Sequence, residues 1–462
     1  MAGTSTPARL RQGAALAVLG VVAVVALMVP ELSGEATAFQ EIDTRSAAAV
    51  TAASDVYFAL NDMDAQVANA LLVGDNRGLG FTRDQALDLY DQRRQLADHS
   101  LRAAASAVTD PATLRDIDSI LDDLGRYQAL AGQALLLDRT TAHAPGRPAP
   151  SALAQYRQAT DLLATRLLPT AHRLTDRHAA TLEATYSARH AQILTTRWRL
   201  ILAGGLLLAA LVGLHLFITI RFRRLIAPAL ACAVVVVGVG VLATALLLTL
   251  QAEHLRVAKK DAFDSLLALR LARAVSYDAN ADESRYLLDP TRAAQYETAF
   301  SAKSQELVRL DGATLATWDR GLAAALDGYR RNNADVGWGG YLGTEFGNIT
   351  FPRERVAAER TLAAYQAYQL DDRKIRDMVA AGHLDQAVAF CTSYAPGASN
   401  NAFAAYDQAM TELIAINQHA FETAIADGNN ALTGWVAGAW ALAAVTVLLV
   451  ATAIRPRLAE YA

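Results

Sequence analysis

Four stretches of the chain, Gly13–Val29, Leu200–Ile220, Ala229–Leu250 and Leu432–Ile454, contain no Asp, Glu, Lys or Arg. A membrane helix needs roughly 17–25 predominantly apolar residues, so each stretch is long enough to cross a bilayer. Only residues 221–228 separate the second from the third, and they include Arg221, Arg223 and Arg224. The chain is therefore expected to cross, turn tightly and cross back.

The arginines set the expected orientation. Arg9 and Arg11 precede the first stretch, the three arginines fill the turn, and Arg455 and Arg457 follow the last; these segments hold a single acid, Glu460. Positive segments stay inside, which puts both termini in the cytoplasm of a multi-pass cell-membrane protein. Arg197 and Arg199 bracket Trp198 on the other side and read as an interfacial anchor. Ala36-Thr37-Ala38 resembles a signal-peptidase site, but the preceding apolar core exceeds the usual 7–15 residues, so an uncleaved anchor is expected. His215, the one His within a span, lies near the inner end and reads as structural.

The expected plan is residues 1–30 as tail and first span, 31–198 outside, 199–220 as second span and 221–228 as inner turn. Residues 229–250 form the third span, 251–431 a second outside region, 432–454 the fourth span and 455–462 an inner tail. A chain that is 53% hydrophobic and 19% charged fits such a mixture of spans and soluble segments. Its net charge of −4 gives no basic field for nucleic acid. No P-loop, GxSxG, HExxH or kinase motif is present. The inner segments, about thirty residues, are too short for a catalytic domain, so no enzyme, cofactor or metal site is expected. Cys232 falls within the third span near its inner end and Cys391 in an outside segment, so they cannot pair. The uncharged spans offer no midplane group for transport.

Both outside regions read as helical. Leu114, Ile117, Leu121 and Leu124 step by three and four, as do Leu153, Tyr156, Thr160, Leu163 and Leu167, and Phe403, Tyr406, Met410 and Leu413. Such narrow apolar seams belong to antiparallel bundles. Breaks come at GDNRGLG (74–80), TDP (109–111) and AHAPGRPAP (142–150), with Thr82 and Asp110 as N-caps and Pro111 in a first turn. The expected fold is all-α, with four transmembrane helices and two tandem extracytoplasmic four-helix-bundle domains.

The halves read as copies. NDMDAQVANALL (61–72) lies over DANADESRYLL (278–288) at an offset of 216, and ALAQYRQAT (152–160) over AFAAYDQAM (402–410) at 250. The second half gains residues around NNADVGWGGYLGTEFGNITFPRER (332–355), which reads as an irregular membrane-distal loop. Trp338, Tyr341 and Phe346 there are either a ligand or partner surface or a cap on the open end of the bundle. In YDANADESRYLLD (277–289), Asp278, Asp282 and Arg285 fall at helical spacings. With no His beside them they read as a solvated or inter-helix polar layer, and they complete the candidate outer ligand surface. Arg221, Arg223, Arg224, Arg455 and Arg457 are the candidate inner partner contacts.

LAAYQAYQLDDRKIRDMVAAGHLDQAVAF (362–390) is similar to the third-helix pattern of chemoreceptor-type sensor bundles, with Tyr365, Tyr368, Gly382 and Ala387 at the matching places. No HAMP-like linker or histidine kinase follows. Two such bundles, four spans and little inside resemble the GlnX-type membrane proteins of actinobacteria, a likeness that includes FGNITFP and YDANADESRYLL. The resemblance implies a relay. A solute-binding lipoprotein outside, of glutamate/aspartate type, signals through the chain to a soluble Ser/Thr protein kinase inside; a homodimer is allowed. A structural protein of an envelope complex and a direct small-molecule sensor remain the alternatives.

Overall fold

The computed structural model describes residues 6–76, 78–106, 108, 110–221, 227–314 and 316–459. They form fifteen α-helices: α1 Thr6–Glu41, α2 Ala48–Val73, α3 Arg83–Ser106, α4 Pro111–Arg139, α5 Pro150–Leu162, α6 Leu168–Arg221, α7 Pro228–Arg256 and α8 Asp264–Leu288. The rest are α9 Ala293–Leu307, α10 Trp318–Arg331, α11 Gly340–Gly347, α12 Glu354–Ala380, α13 Leu384–Thr392, α14 Ser399–Ala431 and α15 Trp435–Ala459. Among the described residues there is no strand, only a bridge between Arg309 and Gly339. The caps read from sequence are present. Thr82 and Gln85 exchange hydrogen bonds as a capping box, and Asp110 accepts from the Thr113 amide at 3.0 Å.

The chain divides into two compact units. One comprises Met1–Asp43, Glu183–Lys259 and Glu422–Ala462. It holds all four apolar windows, each in a helix long and apolar enough to cross a membrane, and the chain is a multi-pass all-α membrane protein. Its helices meet where side chains are smallest: a Cβ on Gly204 would lie 2.6 Å from Val241, and one on Gly240 would lie 2.5 Å from Leu442. Leu16, Leu19, Leu202, Leu206, Val235, Leu242 and Leu448 point outward, as a surface solvated by lipid requires.

The other unit comprises Thr44–Leu182 and Lys260–Phe421. The expectation of two separate bundles is corrected here: both halves contribute to one continuous core, from Val56 and Tyr127 to Tyr365 and Leu413. The reason lies in α2 and α8. Every residue of α2 from Val56 to Val73 is buried, and such a helix must be enclosed on all sides. Asp55 meets Arg270, Phe58 meets Tyr277, and Asn69 meets Ser284. These contacts advance together along both helices, which therefore run parallel at the centre of the unit.

The duplication is visible in the same place. α2 and α8 begin at Ala48 and Asp264, 216 residues apart, each preceded by a π-helical segment, Ile42–Ala47 and Val257–Phe263. On α2, Asp62 pairs with Arg93 of the next helix; on α8 its counterpart Asp278 pairs with Lys303 of the next helix, at 2.7 Å.

Two further expectations change. Leu114 and Leu121 are 44% and 53% exposed, and the buried seam of α4 runs instead through Ile117, Ile120, Leu124 and Tyr127. That face packs within the first half, where Tyr127 reaches Asp64 of α2. The inserted segment is also not loop-like throughout. It contains α11, and Asn348 donates to the carbonyls of Lys260 and Asp261 and to Ser265, at the beginning of α8.

Candidate functional site

The centre of the helical unit is an ion cluster drawn from both halves. Asp64 of α2 is fully buried. Its Oδ1 accepts from the Tyr127 hydroxyl at 3.0 Å, and its Oδ2 accepts from Tyr156 at 2.9 Å, Thr160 at 2.8 Å and Arg285 Nη2 at 2.6 Å. The same guanidinium reaches Asp278 at 3.1 Å and also pairs with Asp282, three residues earlier on α8. Lys303 of α9 closes the cluster with 2.7 Å and 2.5 Å contacts to Asp278 and Asp282.

Three carboxylates thus share two cations in a region nearly closed to solvent. Burial alone would lift the Asp278 carboxyl, but Lys303 and Arg285 more than offset it and hold it below its ordinary range. For Asp282 burial wins, and its carboxyl stays above that range despite the same two partners. Charges so placed are costly to leave unpaired, so the two halves are bound to each other electrostatically as well as by packing.

The cluster opens on one side into a cavity of about 490 Å³, within the range of small-ligand sites. Asp278, Asp282, Arg285, Lys303, Glu306 and Asp161 supply its charged wall. Tyr57, His172 and Tyr296 supply rings, and Leu163, Leu168 and Val275 an apolar floor. Tyr57 and His172 meet edge to face at 5.7 Å. Burial pushes the Tyr57 phenol up, with Asp278 and Glu306 adding to the effect, so both acids act at that end of the cavity. The lining comes from α6 and α8 among others, and each of those helices belongs to a helical segment that also carries an apolar window.

The structure therefore brings Asp278, Asp282 and Arg285 together as a buried inter-helix layer on a cavity wall, not as a solvated face. It corrects the aromatic surface: Trp338 and Phe346 are 6% and 2% exposed and meet Tyr329 edge to face at centroid distances of 5.7 and 5.1 Å. These two rings are packed inside, and Tyr341 is partly buried against the same core. Of the inner-turn candidates, Arg221 ends α6 and is exposed, whereas Arg223 and Arg224 lie outside the described residues. Arg455 and Arg457 fall in the last turns of α15.

Sequence reading missed Asp64, Lys303, Tyr57 and Glu306. Asp64 had a signal: it stands with Asn61, Asp62, Gln66 and Asn69 in a helix otherwise made mostly of small and apolar residues. Lys303 had none, because its partners lie on another helix. Among the described residues, no group of His, Cys, Asp and Glu is arranged to hold a metal ion.

Two buried acids stand apart from the cavity. Glu283 is pushed up to about 8 by burial and by Asp372, and it accepts from Ser399 at 2.9 Å. Glu345 is pushed up to about 8 by burial and by Glu354. A folded-state pKa above the unfolded value keeps the proton on in the native protein while the unfolded chain releases it. The contribution is thus fully present below about pH 4.5 and is lost as pH rises toward 8. We expect stability to decline over that window, and Glu283→Gln or Glu345→Gln to flatten the decline in denaturant titrations at several pH values.

A family model described as an actinobacterial sensor domain matches residues 38–187. That span coincides closely with the first half of the helical unit, Thr44–Leu182. No curated protein and no solved structure matches the chain. The similarity supports a sensing role for this protein.

Proposed function

We propose that the chain is a non-enzymatic transmembrane sensor whose helical unit lies outside the cytoplasm and whose arginine-flanked turn and tails lie inside. The observation that carries this reading is the cavity. It is built from both halves, and α6 and α8 line it while belonging to segments that also carry the candidate spans. A change in what fills the cavity bears on those helices directly. The finer relay rests on the resemblance: a solute-binding lipoprotein of glutamate/aspartate type presents the signal, and a Ser/Thr kinase reads it at Arg221, Arg223, Arg224, Arg455 and Arg457. Direct sensing is the second reading, favoured by the charged wall of the cavity.

Orientation tests the proposal. In a background lacking Cys232 and Cys391, single cysteines near positions 145 and 224 are treated in intact cells with a membrane-impermeant thiol reagent. Labelling at 145 and protection at 224 is expected. The reverse pattern contradicts the sensor reading.

A further inference from the structure

The cavity beside α8 has more acid than base on its wall. Asp161, Asp278, Asp282 and Glu306 line it together with Arg285 and Lys303. Arg285 is already committed, since Asp64 behind it takes a 2.6 Å bond from the same guanidinium. Asp161 is answered from outside the wall by Arg292 at 2.8 Å. No ion pair to Glu306 is formed among the described residues, although its carboxyl lies close enough to Lys303, Asp278 and His172 to feel their charges. The end of the cavity bounded by Tyr57, Asp278 and Glu306 therefore has carboxylate oxygens in excess of positive charge, beside an aromatic ring.

We propose that this cavity binds a small aliphatic ligand through an ammonium group, seated between Asp278 and Glu306 beside Tyr57. The inference rests on the reading of the chain as a sensor and adds the class of ligand. An ammonium suits the place for three reasons. It offers several donors to carboxylates that have acceptor capacity left. The electron-rich face of a tyrosine attracts a cation, more so when water is excluded. The chain has itself put an ammonium here: Lys303 bridges Asp278 and Asp282, which shows the chemistry these oxygens accept. The apolar floor of Leu163, Leu168 and Val275 then takes an aliphatic body. An anion fares worse, because it must displace Asp64, Asp278 and Asp282 from Arg285 and bring a further negative charge among four carboxylates.

The test uses the full-length protein in an uncharged detergent, with n-butylamine and 1,4-diaminobutane as probes and glutarate as an anion of similar size, all at matched ionic strength. Affinity is read by calorimetric titration. The amines are expected to bind and glutarate to bind at least about tenfold more weakly. Glu306→Gln, at a solvent-accessible position, should weaken amine binding about tenfold, the scale of one charge-assisted hydrogen bond. Lys303→Met should strengthen it, because the competing internal ammonium is gone; a merely structural role for either residue does not give opposite signs. Absence of amine binding, preference for glutarate, or indifference to Glu306→Gln overturns the ammonium assignment. None of these outcomes affects the orientation experiment, whose failure would instead remove the sensor reading.

Discussion

Asp64→Ala is expected to destabilise the helical unit by about 3–5 kcal/mol, the usual cost of removing one partner from a buried ion pair. The carboxylate is fully buried and is the acceptor for Tyr127, Tyr156, Thr160 and Arg285. Its loss leaves three hydroxyls short of an acceptor and places more of the Arg285 charge on Asp278 and Asp282. Arg285→Met in the same chain should recover part of the loss, with a coupling of about 1–3 kcal/mol. Denaturant unfolding of the detergent-solubilised protein and its single and double variants measures this. Additive effects would mean that the two halves do not depend on each other through this pair.

Leu413→Ala is expected to cost about 2–5 kcal/mol, and Leu121→Ala to stay within about 0.5 kcal/mol. Both leucines sit at seam spacing in the sequence, yet Leu413 is 0% exposed and Leu121 is 53% exposed. Truncating the first leaves a cavity among packed rings and aliphatics, whereas truncating the second removes a side chain that already faces solvent. The same unfolding measurement distinguishes them. Equal losses would restore the α4 seam expected from spacing alone.

These two leucines show what was legible. Periodicity says that a helix has an apolar face, but the direction of that face depends on partners far away in the chain. The four spans were legible because hydrocarbon forbids charge over a whole helix, a constraint that acts locally. Helix starts at Thr82 and Asp110 were legible for a similar reason: an N-cap satisfies amides two or three residues on. The turn after α12 was too, where Gly382 takes a φ of 82°, a left-handed conformation that favours glycine.

The fusion of the halves was not legible. Antiparallel seams within each half satisfied the pattern, and nothing local marks α2 and α8 as parallel partners. The buried polar residues of α2 were the available sign. Asn61, Asp62, Asp64, Gln66 and Asn69 spread over more than one face of one buried helix, and buried polar groups so placed need partners on several sides of it. In the inserted segment, exposed aromatics would be costly, and Trp338 and Phe346 avoid that cost by packing edge to face against Tyr329. The candidate site was half legible: Asp278, Asp282 and Arg285 share a helix, whereas Asp64 and Lys303 reach them only through the fold.

The central claim is that both halves form one cooperative unit around α2 and α8, with the cavity at their junction. Hydrogen exchange of the full-length protein, followed by mass spectrometry across a series of denaturant concentrations, tests it most directly. Peptides covering Ala48–Val73 and Asp264–Leu288 should become exchangeable through a single common opening, with the same free energy and the same denaturant dependence. Opening of one helix at clearly lower denaturant while the other stays protected would contradict a shared core.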